Sequence, residues 1–256
     1  MIDLDRAGAL VADASRVTVL TGAGISTDSG IPDFRGPQGL WTKNPGAQAM
    51  FSIDSYLADR EVRVRAWRSR RDHPAWTAKP NDGHRALVEL ERQGRLSAIV
   101  TQNIDGLHQA AGSSPVLVHE IHGTIWEAVC MTCARRVPMA DVLGRVDAGE
   151  DDPPCSECDG IQKSATISFG QSLDRDVLDA SVDAARRCDL FLAVGSSLQV
   201  QPAASLCGVA IETGAPLVVV NAESTPYDRA AAAVIREPIG AALPRLVTAE
   251  SVGDRS

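Results

Sequence analysis

The chain has 256 residues, of which 44% are hydrophobic and 23% charged, and 33 Asp and Glu residues against 25 Lys and Arg give a net charge of −8. This length can bury a full core and suits one large domain, or one domain with a smaller one inserted. The acidic balance argues against nucleic-acid binding, because neutralising phosphates takes clustered Lys and Arg. We therefore expect no direct nucleic-acid partner.

The longest apolar runs, such as residues 190–194 and 217–220, are strand-sized. They fall far short of the roughly 20 residues that a membrane span needs. The start of the chain, MIDLDRAGAL, is acidic and lacks the basic and apolar regions of a signal peptide. We expect a cytoplasmic protein with no membrane association, and a monomer.

Short apolar runs alternate with helical patterns along the chain. The first run covers residues 17–20 and stops at a glycine-rich turn, and the predicted strands that follow are 96–100, 116–118, 166–169, 190–194 and 217–220. The helical patterns precede three of these strands, over 83–93, 174–187 and 203–213. Wholly apolar strands alternating with helices predict an α/β fold, a doubly wound parallel sheet of Rossmann type.

Two segments break this alternation, an Arg- and Trp-rich stretch at 45–80 and a cysteine-containing stretch at 129–160. We predict that these insertions form a small domain, helical in the first part and a zinc ribbon in the second. The Rossmann-type domain would then comprise 1–44, 81–128 and 161–256. A substrate is expected in the cleft between the two domains.

Four of the six cysteines form two close pairs, Cys130-x-x-Cys133 and Cys155-x-x-Cys158. Two such turns complete a tetrahedron of thiolates around zinc. Two disulfides or a redox pair are the alternatives, but a cytosolic setting argues against disulfides and a redox site needs only one pair. All four positions are Cys, so we predict one structural zinc. The other two cysteines are predicted to be small buried side chains.

The turn after the first strand, Gly22-Ala23-Gly24-Ile25-Ser26, lets backbone N–H groups approach a pyrophosphate. A dehydrogenase would have a third glycine where Thr27 stands, and an acidic residue at the end of the next strand. That strand ends in 101–103, TQN. Hydride transfer is therefore disfavoured, although a dinucleotide ligand remains plausible.

Polar residues follow two predicted strands, at the ligand-binding edge of such sheets. The segment 102–105 supplies an amide and a carboxylate, and His122 follows the next strand. Histidine is the natural general base near neutral pH. Of the five histidines, His122 is the best candidate by position, because His73 and His84 resemble surface or capping groups and His119 a core residue.

Taken together, the motifs resemble the sirtuins, NAD-dependent protein lysine deacylases, in order and over nearly the whole chain. The matching segments are 21–35 (TGAGISTDSGIPDFR), 39–41 (GLW), 101–108 (TQNIDGLH), 122–123 (HG), the two cysteine pairs, 169–170 (FG), 195–198 (GSSL) and 221–223 (NAE). The resemblance implies a Rossmann-type domain, a zinc-ribbon small domain, and NAD as co-substrate.

The resemblance also implies roles for individual residues. His122 would be the general base and Asn103 would order the ribose and a water, with both counted as catalytic. Asp105 would hold the nicotinamide carboxamide, and Phe34 would shield the anomeric carbon. The remaining NAD contacts would come from Gly22, Ala23, Gly24, Ser26, Asp33, Arg35, Trp41, Gln102, Ile104, Gly195, Ser196, Ser197, Asn221, Ala222 and Glu223.

The acylated lysine of a protein substrate is the implied partner. Ile167 and Phe169 would contact the peptide, and the family's usual Phe-Gly-Glu is Phe-Gly-Gln171 here. Sirtuins that prefer acidic acyl groups resemble one another in a Tyr-x-x-Arg, which here corresponds loosely to Trp67 and Arg70. Acetyl-lysine is the expected substrate, with other acyl groups open.

The sequence is compatible with three functions. The first is protein deacetylation, in which the acyl group passes to ADP-ribose and nicotinamide is released. The second is ADP-ribosyl transfer or NAD hydrolysis on the same scaffold, and the third is a binding module without catalysis. The presence of Asn103, Asp105 and His122 favours the first.

Overall fold

The computed structural model describes residues 2–34, 36, 39–43 and 52–249. Six of its strands form a parallel sheet in the order β3-β2-β1-β7-β8-β9, and three form an antiparallel sheet in the order β5-β4-β6. The strands are β1 Val17–Thr21, β2 Leu96–Thr101, β3 Val118–Glu120, β4 Gly123–Cys130, β5 Arg136–Pro138, β6 Gln162–Thr166, β7 Leu190–Val194, β8 Leu217–Val220 and β9 Ala233–Ile235.

Helices cover both faces of the parallel sheet, as the alternating pattern predicts. The α-helices of the described residues are α1 Ile2–Asp13, α2 Leu40–Lys43, α3 Ile53–Ala58, α4 Arg60–Arg71, α5 Asp82–Arg92, α6 Leu107–Ala111, α7 Met139–Asp147, α8 Arg175–Arg187, α9 Ser205–Glu212 and α10 Ile239–Val247. Within the described residues, none of these helices combines the length and the apolar character that a membrane crossing requires.

The parallel sheet separates two hydrophobic cores. Helices α1, α5 and α10 contribute to the core on one face, and α8 and α9 contribute to the other. Alternate residues of a strand point to opposite faces. In β7, Leu190 and Leu192 accordingly lie in the first core, and Phe191 and Ala193 lie in the second. Burial on both faces explains why these strands are apolar throughout.

A third core lies beneath the antiparallel sheet, where Trp67 of α4 packs with Ala128 of β4 and Met139 of α7. These residues are fully buried. The Arg-rich segment and the cysteine segment therefore pack together, although they are distant in sequence. Strand β4 crosses residue 128, the predicted boundary of the Rossmann-type domain. The division of the chain into domains stays a prediction.

Five strands differ from the prediction, and two of them, β4 and β5 of the small sheet, were not predicted as strands. The predicted strand 166–169 is wrong, since β6 ends at Thr166 and pairs antiparallel with β4 rather than joining the parallel sheet. Strand β3 begins at Val118, because Pro115–Leu117 forms a 3-10 helix. Strand β9 was not predicted, since its three residues follow an alanine run that carries little strand signal.

Candidate functional site

The glycine turn after β1 packs directly against the turn after β7. The Gly24 N–H donates to the carbonyl of Gly195 at 2.9 Å, and Gly195 has a φ of +62°. A Cβ on Gly195 would lie 2.5 Å from the Ile25 nitrogen, and one on Gly22 would lie 2.7 Å from the Gly195 oxygen. Only glycine fits this close contact, which brings two loops to one edge of the sheet.

The loop after β2 is tied to the glycine turn by side-chain hydrogen bonds. The Asn103 Nδ2 donates to the carbonyl of Gly22 at 3.1 Å and to Ser26 Oγ at 3.2 Å. Ser26 Oγ in turn donates to Asp105 Oδ2 at 2.7 Å. Burial raises the pKa of Asp105, opposed by the Leu107 N–H and the Ser26 hydroxyl. The predicted amide and carboxylate therefore converge at this edge.

The loop after β7 also reaches this network. Gln102 Nε2 donates to Ser196 Oγ at 2.8 Å, and Ser196 is buried. Ser197 is partly exposed beside it. The loops after β1, β2 and β7 therefore meet, as the carboxyl ends of neighbouring parallel strands do in nucleotide-binding sheets.

His122 follows β3 and stands where the two sheets adjoin. Its Nδ1 lies 3.0 Å from the carbonyl oxygen of Gln102, which accepts only, so Nδ1 carries the proton and Nε2 is left to accept one. Its own carbonyl accepts from the Ile167 N–H at 2.8 Å. Burial lowers the pKa of His122, opposed by the Gln102 carbonyl. The imidazole is thus held neutral with a free proton-accepting nitrogen.

Two groups near this network were not predicted. Thr21 Oγ1 lies 2.9 Å from His108 Nε2 and donates to Thr101 Oγ1, which accepts from the Asn103 N–H. Trp126 Nε1 donates to the carbonyl of Asp105 at 2.8 Å. Threonines at the ends of the adjacent strands β1 and β2 could have indicated the contact between Thr21 and His108 from the sequence. No sequence pattern indicated the contact of Trp126.

The other histidines have structural partners. His73 accepts from the Ala75 N–H, and His84 completes a capping box at the start of α5. The prediction of surface or capping groups is confirmed in its capping form for both residues, and the ring of His84 is fully buried against that of His108. His119 is partly buried, and its Nδ1 lies 3.3 Å from Ser181 Oγ.

The remaining predicted NAD contacts lie in the loops that follow β1, β2 and β8 and in α2. Asp33 accepts from the Gly36 N–H, and Phe34 is 37% exposed. Arg35 lies outside the described residues, as does the side chain of Trp41 in α2. After β8, Asn221 Nδ2 donates to the carbonyl of Glu223, and Arg236 donates to both of their carbonyls. Ala23, Ile104 and Ala222 occupy the corresponding loops.

The predicted acyl-side residues lie in the segment that follows strand β6 and on α4. Phe169 is 48% exposed, and its carbonyl accepts from the Ile53 N–H. Arg70 donates to Ser164 Oγ at 3.0 Å. Trp67 is 1% exposed and belongs to the third core. Trp67, Arg70 and Ile167 line one small cavity, which also contains residues that the sequence did not single out.

The four paired cysteines form one cluster, in which all Sγ atoms lie within 4.8 Å of one another. The Sγ atoms of Cys130 and Cys158 are 3.6 Å apart, and those of Cys133 and Cys155 are 3.7 Å apart. Zinc with four bonds of about 2.3 Å to sulfur requires separations of about 3.8 Å. The N–H groups of Cys133 and Thr132 point at Cys130 Sγ and lower the pKa of that thiol to about 6. This donor set fits structural zinc.

Residues 22–202 match the Sir2 family. "NAD-dependent protein deacetylase 2" of Streptomyces coelicolor is 55% identical over 231 residues, which cover 90% of this chain and 96% of that protein. The chain therefore belongs to the Sir2 family.

Solved structures agree with this assignment. A Sir2 complex with a p53 peptide and NAD+ superposes with a TM-score of 0.83 at 35% identity, over 93% of this chain and 94% of that chain. A Sir2 protein bound to acetylated peptide gives a TM-score of 0.82 at 34% identity, with the same coverage. The prediction of a sirtuin with a doubly wound parallel sheet is confirmed.

Proposed function

We propose that this chain is an NAD-dependent protein lysine deacetylase, which transfers the acyl group of an acylated lysine to ADP-ribose and releases nicotinamide. The observation that carries the proposal is the edge where His122, Asn103 and Asp105 come together with the glycine turn. These are the polar groups that the reaction needs: Asp105 accepts a hydrogen bond from a neighbouring loop, and Asn103 and His122 each donate one to a neighbouring loop.

NAD, as substrate, would lie across the carboxyl ends of the strands. The backbone of 22–24 and Ser26 would face its phosphates and a ribose, since glycines let N–H groups approach closely. Gln102 and Asn103 would contact the nicotinamide ribose, and Asp105 would accept from the carboxamide. The loops 195–197 and 221–223 would line the adenosine half.

Cleavage of the bond to nicotinamide leaves positive charge on the ribose carbon, and the acyl oxygen of the lysine attacks that carbon. His122 would then accept a proton from a ribose hydroxyl through Nε2, so that this oxygen attacks the acyl carbon. Water completes the release of the lysine. Phe34 would keep water from the ribose carbon, where its entry would only hydrolyse NAD.

The cysteine cluster would hold one zinc with no open coordination position, so the metal supports the fold and not the chemistry. Strand β4 begins immediately after His122 and ends at Cys130. A metal held at Cys130 would therefore stabilise the strand that leads to the proposed base.

The test is to incubate the purified protein with NAD and an acetyl-lysine peptide, and to follow the peptide mass and nicotinamide release together. We expect deacetylated peptide and nicotinamide in equal amounts, and we expect His122→Ala to lose the repeated turnover of both. His119→Ala is the matched control, because it removes an imidazole from the same segment that contacts Ser181 instead. This control should keep the activity.

Nicotinamide release with the peptide unchanged would contradict the proposal and favour NAD hydrolysis or ADP-ribosyl transfer. No turnover of either substrate would contradict catalysis on acetyl-lysine. A monomeric state, a cytoplasmic location and the absence of a nucleic-acid partner stay predictions, the last of them supported by the net charge of −8.

A further inference from the structure

Trp126 of strand β4 lies against the loop that follows β2. Its indole Nε1–H donates to the backbone carbonyl of Asp105 at 2.8 Å. One position earlier in the strand, the Ile125 N–H donates to the carbonyl of Ile104 at 3.0 Å. The small sheet therefore bonds to two successive carbonyls of this loop, to one through its main chain and to the other through a side chain.

The carbonyl that accepts from Trp126 belongs to Asp105, whose carboxylate would bind the nicotinamide carboxamide. That carboxylate accepts from the Ser26 hydroxyl at 2.7 Å and from the Leu107 N–H at 2.9 Å. These two bonds orient the side chain relative to the glycine turn and to helix α6. The bond from Trp126 orients the main chain of the same residue relative to the small sheet, so Asp105 is held at three points.

The turn after Asp105 fits closely against the indole. Gly106 has a φ of +72°, in the left-handed region, and a Cβ on it would lie 2.6 Å from Trp126 Nε1 and 3.1 Å from Cδ1. A residue with a side chain could not approach the indole in this way. The position of the indole and the path of the loop are therefore mutually dependent.

Trp126 is itself held in place by a second tryptophan. Its ring meets that of Trp76 edge to face, with the ring centroids 5.1 Å apart at an interplanar angle of 86°. Trp76 packs against a small hydrophobic cluster that includes Leu107 and Ile125, and its Nε1–H donates to the Arg70 carbonyl in helix α4. Trp126 remains 46% exposed, so burial of apolar surface explains only part of its position.

Resting on the proposed function, we propose that Trp126 is a positioning residue that acts through the main chain of Asp105. It sets the affinity for free nicotinamide and for the nicotinamide end of NAD. Without the indole donor, residues 104–106 would lose one of their anchors, and ordering them would then cost free energy whenever the ligand binds. Asp105 has no proposed contact with the acylated peptide, so the affinity for the peptide should not depend on Trp126.

The test variant is Trp126→Phe, which keeps an aromatic ring beside Trp76 but has no N–H to donate. Nicotinamide is a product of the proposed reaction, so it inhibits turnover when added. We expect the nicotinamide concentration for half inhibition and the KM for NAD to rise about five-fold, the size of one neutral hydrogen bond. The KM for the acetyl-lysine peptide should not change. A variant that is merely less stable would not separate the two substrates in this way.

Two further variants test the contact between the strand and the loop. Glu127→Gln is the matched control, because Glu127 is the next residue of β4 but pairs with Arg136 of β5 at 2.7 Å. It should leave both nicotinamide inhibition and the KM for NAD unchanged. Gly106→Ala tests the close approach from the side of the loop. It should weaken nicotinamide inhibition by a smaller factor in the Trp126→Phe background, where Nε1 no longer meets the added Cβ.

Unchanged nicotinamide inhibition in Trp126→Phe would overturn the inference and leave the deacetylase function intact. So would an equal rise in the KM values for NAD and for the peptide, since that result indicates a general disturbance of the structure. An equal effect in Glu127→Gln, or an equal effect of Gly106→Ala in both backgrounds, would also overturn it. No deacetylation by the unmodified protein would overturn both proposals together.

Discussion

Ser26 and Asp105 join two loops of the site through one short hydrogen bond, 2.7 Å from Oγ to Oδ2. Ser26 follows β1 and Asp105 follows β2, and both side chains are buried, at 1% and 4% exposure. The Ser26 hydroxyl also accepts from Asn103 Nδ2, so it serves as donor and acceptor at once. One oxygen atom thus orients both the carboxylate and the amide on which the proposed chemistry depends.

We predict that Ser26→Ala raises the KM for NAD at least several-fold and lowers the free energy of unfolding by about 1–3 kcal/mol. The physical reason is that the buried Asp105 carboxylate loses a donor. Steady-state kinetics and urea denaturation measure the two effects. Thr27→Ala is the control, since Thr27 is exposed and its hydroxyl donates to the local carbonyl of Gly24. Equal effects in the two variants would contradict the role of Ser26.

The pH dependence of kcat/KM tests the state of His122. Burial lowers its pKa below the ordinary value of 6.5, so the imidazole stays neutral and able to accept a proton until the pH falls below that lowered value. We expect activity to be level through pH 7 and to decline in acid with a midpoint below 6.5. A midpoint above 6.5 would show that another group, or a different environment, controls proton transfer. The profile of His119→Ala should match that of the unmodified protein.

Gly195→Ala should abolish NAD binding, measured by calorimetry, and strongly destabilise the fold. The new Cβ would lie 2.5 Å from the Ile25 nitrogen, in addition to the strain of a positive φ. Gly94→Ala separates the effect of a positive φ from that of the steric clash. Gly94 has a φ of +71°, but an added Cβ would meet no atom within 4 Å. It should cost only about 1–2 kcal/mol and leave NAD binding unchanged. Tight NAD binding by Gly195→Ala would contradict the packed contact between the two loops.

Replacing one zinc ligand should release the metal. We expect Cys155→Ala to contain no zinc by elemental analysis and to unfold at a lower temperature, since three thiolates hold the ion far less well than four. Cys207→Ala is the matched control, a buried cysteine in the second core, and should keep one zinc per chain at a cost of about 1 kcal/mol. A full equivalent of zinc in Cys155→Ala would show that the cluster is not the metal site.

The sequence predicted the parts of this protein that depend on local pattern. Strands β1, β2, β7 and β8 are buried on both faces, so continuous apolar runs mark them clearly. The cysteine cluster was predictable because the spacing within each pair restricts where the thiols can lie. The location of Gln102 and His122 at the edge of the sheet was predictable because each follows a strand of the parallel sheet at its carboxyl end.

What the sequence did not reveal depends on packing between distant segments. Residues 162–166 contain Gln, Lys, Ser and Thr, so the strand β6 carries no apolar pattern, and its pairing with β4 decides its structure. Lys163 and Arg70 are 93 positions apart in sequence, and no local pattern indicates that they line one cavity. His84 caps helix α5, as one of the two predicted alternatives had it, but no local pattern indicated that its ring turns inward against His108.

His122 is hydrogen-bonded on two sides. Its ring donates to the Gln102 carbonyl beside the parallel sheet, and its own carbonyl accepts from the Ile167 N–H beside the small sheet. A change in the distance between the two sheets would therefore move the imidazole directly, because both hydrogen bonds belong to one residue. A substrate peptide that contacts both sheets would fix that spacing as it binds, and so would set the direction of Nε2 at the same moment. Recognition of the peptide and alignment of the base would then be one event, and a poorly fitting peptide would lose turnover even when it binds.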